Sequence, residues 1–337
     1  MKNINIGIIG ITGYTGIELI KTLNNHPLTN IVFVGANTNY GSYINDHIPN
    51  LKLTKRLRIK KNIEILKNDN IDLIFSCLPN GGLVSIYNRL KKLDAKIIDL
   101  SGDFRLNQKS HNKWYESKRN KNTFKDFQYI LPEINKAKIN KNKNIANPGC
   151  YATSILLGLS PINKILKKSE DIIVDTKSGI SGAGKSGKLE HSFTECNENL
   201  STYNVGNHRH GPEIEQLLNR EFKKNVNVIM IPHLLPIKRG IMSNIYISRN
   251  TTFNEKNIIN EFKEYYSKSS FVKILDNRLP EIKEVQNTNY CYIGVKVLPN
   301  NKSLLISCVI DNLLKGAASQ AIQNMNLLFG LEENLGL

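Results

Sequence analysis

Residues 4–24, INIGIIGITGYTGIELIKTLN, carry the decisive pattern of this chain. The apolar run Ile4 to Ile9 reads as a short buried strand, and apolar residues at helical spacing resume from about Ile17 to Asn24. Between them stand Gly7, Gly10, Gly13 and Gly16, where a turn must bring backbone close to a pyrophosphate and aim a helix N-terminus at its charge. The order strand, glycine turn, helix predicts the opening of a dinucleotide-binding fold. The spacing Gly10-x-x-Gly13-x-x-Gly16 departs from the usual GxGxxG, so the strand–turn–helix context carries the inference more than the glycines do.

Moving outward, IVFVGA (31–36) reads as the next strand, and IDLIFSCL (71–78), LVSIYNRLKK (83–92) and AKIIDL (95–100) continue as strand, helix, strand. Such alternation predicts a mostly parallel sheet with helices on both faces. After Pro148 the pattern changes. Strands are expected at 171–179, 226–236, 242–250, 290–298 and 303–310, with a helical EFKEYYSKS stretch (261–269) among them, which suggests an α+β domain with a mixed sheet. The segment 312–330 has helical spacing up to Gly330 and is expected to form one long helix returning to the first domain. The expected division is therefore a dinucleotide-binding domain over 1–149, completed by 312–337, and a catalytic, substrate-binding and oligomerisation domain over 150–311.

With 337 residues, 40% hydrophobic and 22% charged, the composition is that of a globular protein, and no apolar run approaches the roughly 20 residues of a membrane span. No membrane role is expected. The opening MKNINIGIIG lacks the regions of a cleaved export signal, and the five cysteines, Cys77, Cys150, Cys196, Cys291 and Cys308, are odd in number and contain no CxxC pair. These features predict a cytoplasmic protein with neither a disulfide framework nor a structural zinc site. The net charge of +17 raises nucleic-acid binding. Its lysines, however, mingle with asparagines in stretches such as NKAKINKNKN (135–144) without the aromatics that stack on bases, so no nucleic-acid partner is expected. A basic surface would also attract small anionic substrates and a phosphorylated cofactor.

The chemistry is concentrated in a few segments. In Asn147-Pro148-Gly149-Cys150-Tyr151-Ala152-Thr153 a turn delivers a thiol to the start of an apolar helix, whose partial positive charge favours the thiolate. Cys77 and Cys308, inside apolar runs, read instead as packing residues. Gly206-Asn207-His208-Arg209-His210-Gly211-Pro212-Glu213 crowds two histidines near a helix start; they could move protons, bind an anion or cap the helix, while a metal lacks a third ligand. The loop Ser178-Gly179-Ile180-Ser181-Gly182-Ala183-Gly184-Lys185 could cover phosphates or nicotinamide. Arg105, in Ser101-Gly102-Asp103-Phe104-Arg105, could bind a carboxylate or phosphate, or pair with Asp103. After the second strand, Ala36, Asn37, Thr38, Asn39 and Tyr40 hold no carboxylate of the kind that binds an NAD ribose, which leans toward NADP.

Taken together, GIIGITGYTG, LSGDFRL, NPGCYAT, SGISGAGK, NHRHGPEI, PHLLPIKRG and DNLLKGAA resemble the N-acetyl-γ-glutamyl-phosphate reductases of arginine biosynthesis, in order and over essentially the whole chain. The resemblance implies a semialdehyde-dehydrogenase-like fold and NADPH-dependent reduction of an acyl phosphate to a semialdehyde, with release of phosphate. It implies Cys150 as nucleophile and His208 or His210 as acid/base. NADP(H) would be held by Gly10, Thr12, Gly13, Tyr14, Thr15 and Gly16, with Asn37 and Thr38 beyond the second strand and Ser178, Gly179, Ser181, Gly182 and Asn312 toward the nicotinamide. Arg105, Tyr203 and Arg239 are the implied substrate residues. A homo-oligomer, dimer or tetramer, is expected. The alternative is the same chemistry on an aspartyl or carrier-linked aminoadipyl phosphate.

Overall fold

A computed structural model of the chain describes residues 3–48, 51–53, 56–120, 122–167, 171–185, 189 and 192–337. Contacts divide it into two units. The first comprises residues 1–132, 136–148 and 317–337, and the second comprises 133–135 and 149–316.

In the first unit the order is β1 (Ile4–Ile9), α1 (Tyr14–Leu23), β2 (Thr29–Gly35), α2 (Ile44–His47), β3 (Leu73–Ser76), α3 (Gly82–Leu90), β4 (Lys96–Asp99), α4 (Gln108–Trp114), β5 (Phe127–Tyr129), α5 (Pro132–Asn135, running into the second unit) and β6 (Asn144–Ala146). The strands form one six-stranded sheet in the order β2-β1-β3-β4-β6-β5, and every pairing in it is parallel. Each strand is short and apolar because both of its faces are covered. Ile6, Ile8, Leu73, Phe75 and Ile98 pack on the side of α1, while Ile9, Ile74 and Ile97 pack with Leu83, Tyr87 and Leu90 of α3. From β1 the chain turns to β2 on one side and later to β3 on the other. The carboxyl ends of β1 and β3 therefore mark the switch point where such sheets bind ligands.

The second unit runs α6 (Cys150–Leu159), β7 (Asp171–Gly179), α7 (Phe193–Cys196), β8 (Ser201–Thr202), α8 (His210–Phe222), β9 (Asn227–Leu235), β10 (Ile241–Ser248), α9 (Glu255–Tyr265), β11 (Val272–Leu275), β12 (Cys291–Val297) and β13 (Ser303–Ile310). Its seven-stranded sheet has the order β11-β12-β13-β10-β7-β9-β8 and is mixed, with β7–β9 and β11–β12 parallel and the other pairs antiparallel. Alternate residues of β7 and β10, Ile172, Val174, Thr176, Ile241, Ser243, Ile245 and Ile247, are buried, and α6 packs against β10 and β13. That period of two is what a sheet covered by helices on one face requires.

One expected element is shorter than its periodicity suggested. The helix read over 312–330 begins only at Ala318, as α10 (Ala318–Leu328) of the first unit. Residues 312–317 are turns that belong mostly to the second unit, organised by Asp311, whose carboxylate accepts the N–H groups of Leu313 and Leu314 at 2.9 and 3.1 Å. An Asp that satisfies local backbone donors competes with helix propagation, which apolar spacing alone does not register.

Candidate active site

In the first unit, the β1–α1 turn has the form a diphosphate needs. Gly10 sits at φ +80°, and a Cβ there would lie 2.6 Å from the carbonyl oxygen of Cys77, so a side chain is excluded both by conformation and by the neighbouring strand end. Gly13 is the N-cap of α1 and no side chain caps it, while the only non-adjacent atom near a Cβ built there is the Gly10 oxygen at 3.5 Å. Thr12, Gly13, Tyr14, Thr15 and Gly16 thus surround an open helix N-terminus with no carboxylate in its first turn, a cradle that fits a dinucleotide phosphate. Asn62 joins this turn to the end of β2. Its amide oxygen accepts the Gly10 N–H at 3.0 Å, and its nitrogen donates to Asn37 Oδ1 at 3.0 Å. Asn37 and Thr38 are exposed.

Arg105 also lies in this unit, buried, donating from Nε to the Asn147 carbonyl at 2.8 Å and from Nη2 to the Leu100 carbonyl at 2.7 Å. Asp103, its alternative partner, accepts from the Gly81 and Val84 N–H groups at the start of α3. Nearby, burial first and Asp103 second push the Asp99 carboxyl up to about 7.

In the second unit Cys150 is the first residue of α6, half-buried, with Gly149 as N-cap. The Gly149 N–H donates to Glu213 Oε1 at 2.8 Å, and the other Glu213 oxygen stands 4.0 Å from His210 Nε2. His210 opens α8, three residues before Glu213, so one helix turn places both on the same face. Glu213 is 1% exposed and still ties the thiol-bearing helix end to an imidazole. The four remaining cysteines offer no comparable setting: Cys196 is buried, and desolvation raises the thiols of Cys77, Cys291 and Cys308.

The aromatic residues complete the centre. Tyr151 and Tyr203 share a hydrogen bond of 2.9 Å between their hydroxyls, and the rings of Tyr151, Tyr203 and His210 all lie within 6 Å of the His208 ring. Burial, with the charge of Cys150 adding to it, pushes Tyr203 up to about 12, so its hydroxyl keeps its proton. His208 accepts the His210 N–H at Nδ1, 3.2 Å away, and burial together with Arg209 pushes its pKa down to about 4. At neutral pH His208 is therefore an uncharged ring whose proton sits on Nε2. His210 is the histidine beside a carboxylate.

Asn312 links the glycine loop to the start of β10. Its nitrogen donates to Ser181 Oγ at 2.9 Å and its oxygen accepts the Gly240 N–H at 2.7 Å, so Ser178, Gly179, Ser181, Gly182 and Asn312 form one assembly. Arg239 is anchored there, with Nε 3.0 Å from Asp311 Oδ2 and Nη1 donating to Asn287 Oδ1 at 2.6 Å. Gly316 packs between this turn and the thiol: a Cβ on it would lie 2.6 Å from the Asn312 oxygen and 2.9 Å from Cys150 Cβ. The second unit thus gathers Cys150, Tyr203, His208, His210, the glycine loop and Asn312, while Gly10, residues 12–16, Asn37, Thr38 and Arg105 stand in the first.

Glu213 and Asn62 had no role in the sequence reading. The His210–Glu213 spacing was a visible signal for Glu213; nothing in the sequence pointed from Asn62 to Gly10. Among the described residues no group of three or more His, Cys, Asp or Glu could hold a metal ion.

Residues 5–142 match the family described as semialdehyde dehydrogenase, NAD binding domain, and residues 150–312 match semialdehyde dehydrogenase, dimerisation domain. Among curated proteins, the N-acetyl-gamma-glutamyl-phosphate reductases of Clostridium novyi and Staphylococcus saprophyticus are each 41% identical to this chain, over 99% of it and 98% of the relative. Among solved structures, aspartate semialdehyde dehydrogenase II from Vibrio cholerae, complexed with ASA, superposes with a TM-score of 0.77 over 98% of this chain and 99% of its own, at 17% identity. The aspartate semialdehyde dehydrogenase of Candida albicans, solved with NADP, gives 0.71 over 99% and 100%, at 15% identity.

Proposed function

Since the chain belongs to the N-acetyl-γ-glutamyl-phosphate reductases of the semialdehyde dehydrogenase family, we propose that it reduces N-acetyl-γ-glutamyl phosphate to N-acetylglutamate 5-semialdehyde with NADPH, releasing phosphate, in arginine biosynthesis. The observation that carries this reading is the half-buried thiol at the N-terminus of α6, whose N-cap is held by Glu213 beside His210.

In the mechanism, the Cys150 thiolate attacks the γ-carbonyl carbon, the C–O bond to phosphate breaks, and an S-acyl enzyme remains. The helix N-terminus stabilises the thiolate before attack, and the backbone N–H groups of its first turn face the oxyanion that develops, a contribution of about 3–4 kcal/mol per well-placed donor. NADPH would be held by Gly10, residues 12–16, Asn37 and Thr38 of the first unit, the Ser178–Gly182 loop and Asn312 of the second would serve its nicotinamide, and the chemistry it would supply is hydride donation. His210, its ring polarised by Glu213, is the group that donates a proton to the thiohemiacetal oxygen and takes it back as the C–S bond breaks, regenerating the thiolate and releasing the aldehyde. His208 and Tyr203, both uncharged, shape the pocket by hydrogen bonds, and Arg105 and Arg239 are the cations for the substrate's anionic groups. The sum balances: acyl phosphate, NADPH and one proton give semialdehyde, NADP⁺ and phosphate.

The test runs the reaction backward, following phosphate-dependent reduction of NADP⁺ with N-acetylglutamate semialdehyde beside aspartate semialdehyde. Robust turnover of the acetylated compound and little of the other is expected. The reverse preference, or turnover without phosphate, refutes the assignment.

The same reading makes the enzyme a cytoplasmic homo-oligomer, dimer or tetramer, acting on small molecules with no nucleic-acid partner. Among the described residues no helix is long and apolar enough to cross a membrane. Support for self-association comes from the sheet face opposite the buried residues, where Ile229, Ile173, Tyr246 and Leu305 stand side by side in register on four adjacent strands, with Ile173 44% exposed. A second copy covers that stripe; Ile173→Asp should shift the oligomer toward monomer in sedimentation velocity, and an unchanged oligomer would put the interface elsewhere.

A further inference from the structure

The loop after β2, where a dinucleotide's adenosine ribose is read in this kind of sheet, carries no cation of its own from Ala36 to Tyr43. The fold brings cations to it from a later stretch. Residues 57–60 run back along the loop: the N–H of Ala36 bonds the Lys60 carbonyl at 2.9 Å, that of Gly41 the Ile59 carbonyl at 2.8 Å, and that of Ile44 the Leu57 carbonyl at 3.0 Å. This pairing plants Arg58 and Lys61 on the loop. Arg58 donates from Nε to the Gly41 carbonyl at 2.7 Å, and Lys61 places its ammonium 4.7 Å from the centre of the Tyr40 ring.

Four further features point to a phosphate monoester as the occupant. Both side chains are exposed, and among the described residues the terminal guanidinium nitrogens of Arg58 have no partner, so they remain available to an anion. Two carboxylates of this region are engaged with backbone, Asp46 accepting the Tyr43 N–H and Glu64 the Lys61 N–H, each at 3.0 Å. The loop is also held at a set place relative to the diphosphate turn, because Asn62 bonds Gly10 and Asn37 together. Around Gly41, at φ +95°, no atom lies within 4 Å of where a Cβ would stand, which leaves room beside the cations.

We propose that Arg58 and Lys61 are the clamp that selects NADPH over NADH, reading the 2′-phosphate from the strand-like segment 57–61 in place of the basic residue that the β2 loop lacks. The inference rests on the NADP reading above. A planar guanidinium and an ammonium flanking one site match the two kinds of contact a phosphate dianion takes best.

The test is binding, not turnover. NADPH and NADH are titrated into wild-type protein, Arg58→Gln, Lys61→Gln and the double variant, following the fluorescence of the reduced nicotinamide, with adenosine 2′,5′-bisphosphate and 5′-AMP as competitors. Each single variant should weaken NADPH and the bisphosphate by about tenfold, as the loss of a charge-assisted hydrogen bond does, while leaving NADH and 5′-AMP within about twofold. The NADPH preference should also shrink as salt is raised. Equal weakening of both nucleotides would mean that the residues only brace the loop, and an unchanged ratio would remove them from recognition; either result overturns the clamp. If wild-type protein binds NADPH selectively yet reduces no acyl phosphate, the proposed reaction falls and the clamp stands.

Discussion

Glu213 is a single buried carboxylate that serves two neighbours. Toward Gly149 it needs only an acceptor oxygen, which an amide also provides; toward His210 it needs negative charge. Glu213→Gln should therefore keep the fold, with a thermal midpoint within a few degrees of wild type, and lower kcat by about 100-fold with a much smaller change in KM. Steady-state kinetics beside a melting curve separate the two effects. His208 makes a different prediction. Its pKa falls from the ordinary 6.5 to about 4 on folding, so between those values the unfolded chain binds the extra proton. The stability it contributes is complete above about 6.5 and lost as pH falls toward 4. His208→Asn should flatten that part of the stability curve, as read by denaturant unfolding at pH 7, 5.5 and 4.5.

At the scale of elements, the N-terminus of α6 and the turn over residues 311–316 act as one piece. The helix presents the thiol, and the turn presses Gly316 against Cys150 Cβ while Asn312 engages Ser181 and Gly240. Gly316→Ala forces a Cβ into contacts of 2.6 and 2.9 Å with the Asn312 backbone and Cys150, so the turn must shift. Overpacking of this kind costs about 1–3 kcal/mol. The variant should show a lowered thermal midpoint and kcat reduced by about tenfold or more, read from a melting curve beside steady-state kinetics. An unchanged kcat would show that the turn does not position the thiol. The sequence marked both segments, NPGCYAT and DNLLKGAA, but the second was read as the beginning of a long helix. Apolar spacing identifies a buried face; it does not reveal that Asp311 consumes the N–H groups of Leu313 and Leu314.

Across the molecule, Lys315 and Glu133 show how the chain is closed within its second unit. Each is 1% exposed, they meet at 2.6 Å, and the pair joins the short excursion 133–135 to the end of the turn beneath the thiol. Removing one partner takes a counter-ion from a buried charge, a change that costs up to about 3–5 kcal/mol, whereas an apolar pair of similar volume is tolerated. Lys315→Met should unfold at markedly lower denaturant, and Glu133→Leu added to it should recover most of the loss; failure of the second change to rescue the first would mean that volume, not charge, decides.

What the sequence determined by itself was whatever depends on neighbours along the chain. The strand–glycine–helix opening, the parallel alternation of the first half, the thiol at a helix start and the paired histidines are all local patterns, and hydrophobic period and turn chemistry are set locally. The tertiary structure alone decided which distant residues share a charge or a hydrogen bond and which are desolvated: that burial lowers the pKa of His208, that Glu213 reaches Gly149, that Asn62 holds Gly10, that Arg58 and Lys61 come to a loop empty of cations, and that Lys315 answers Glu133. The reason is physical. Desolvation and Coulomb interaction depend on distance through space and on the exclusion of water, and neither exists until the chain has closed around its two cores.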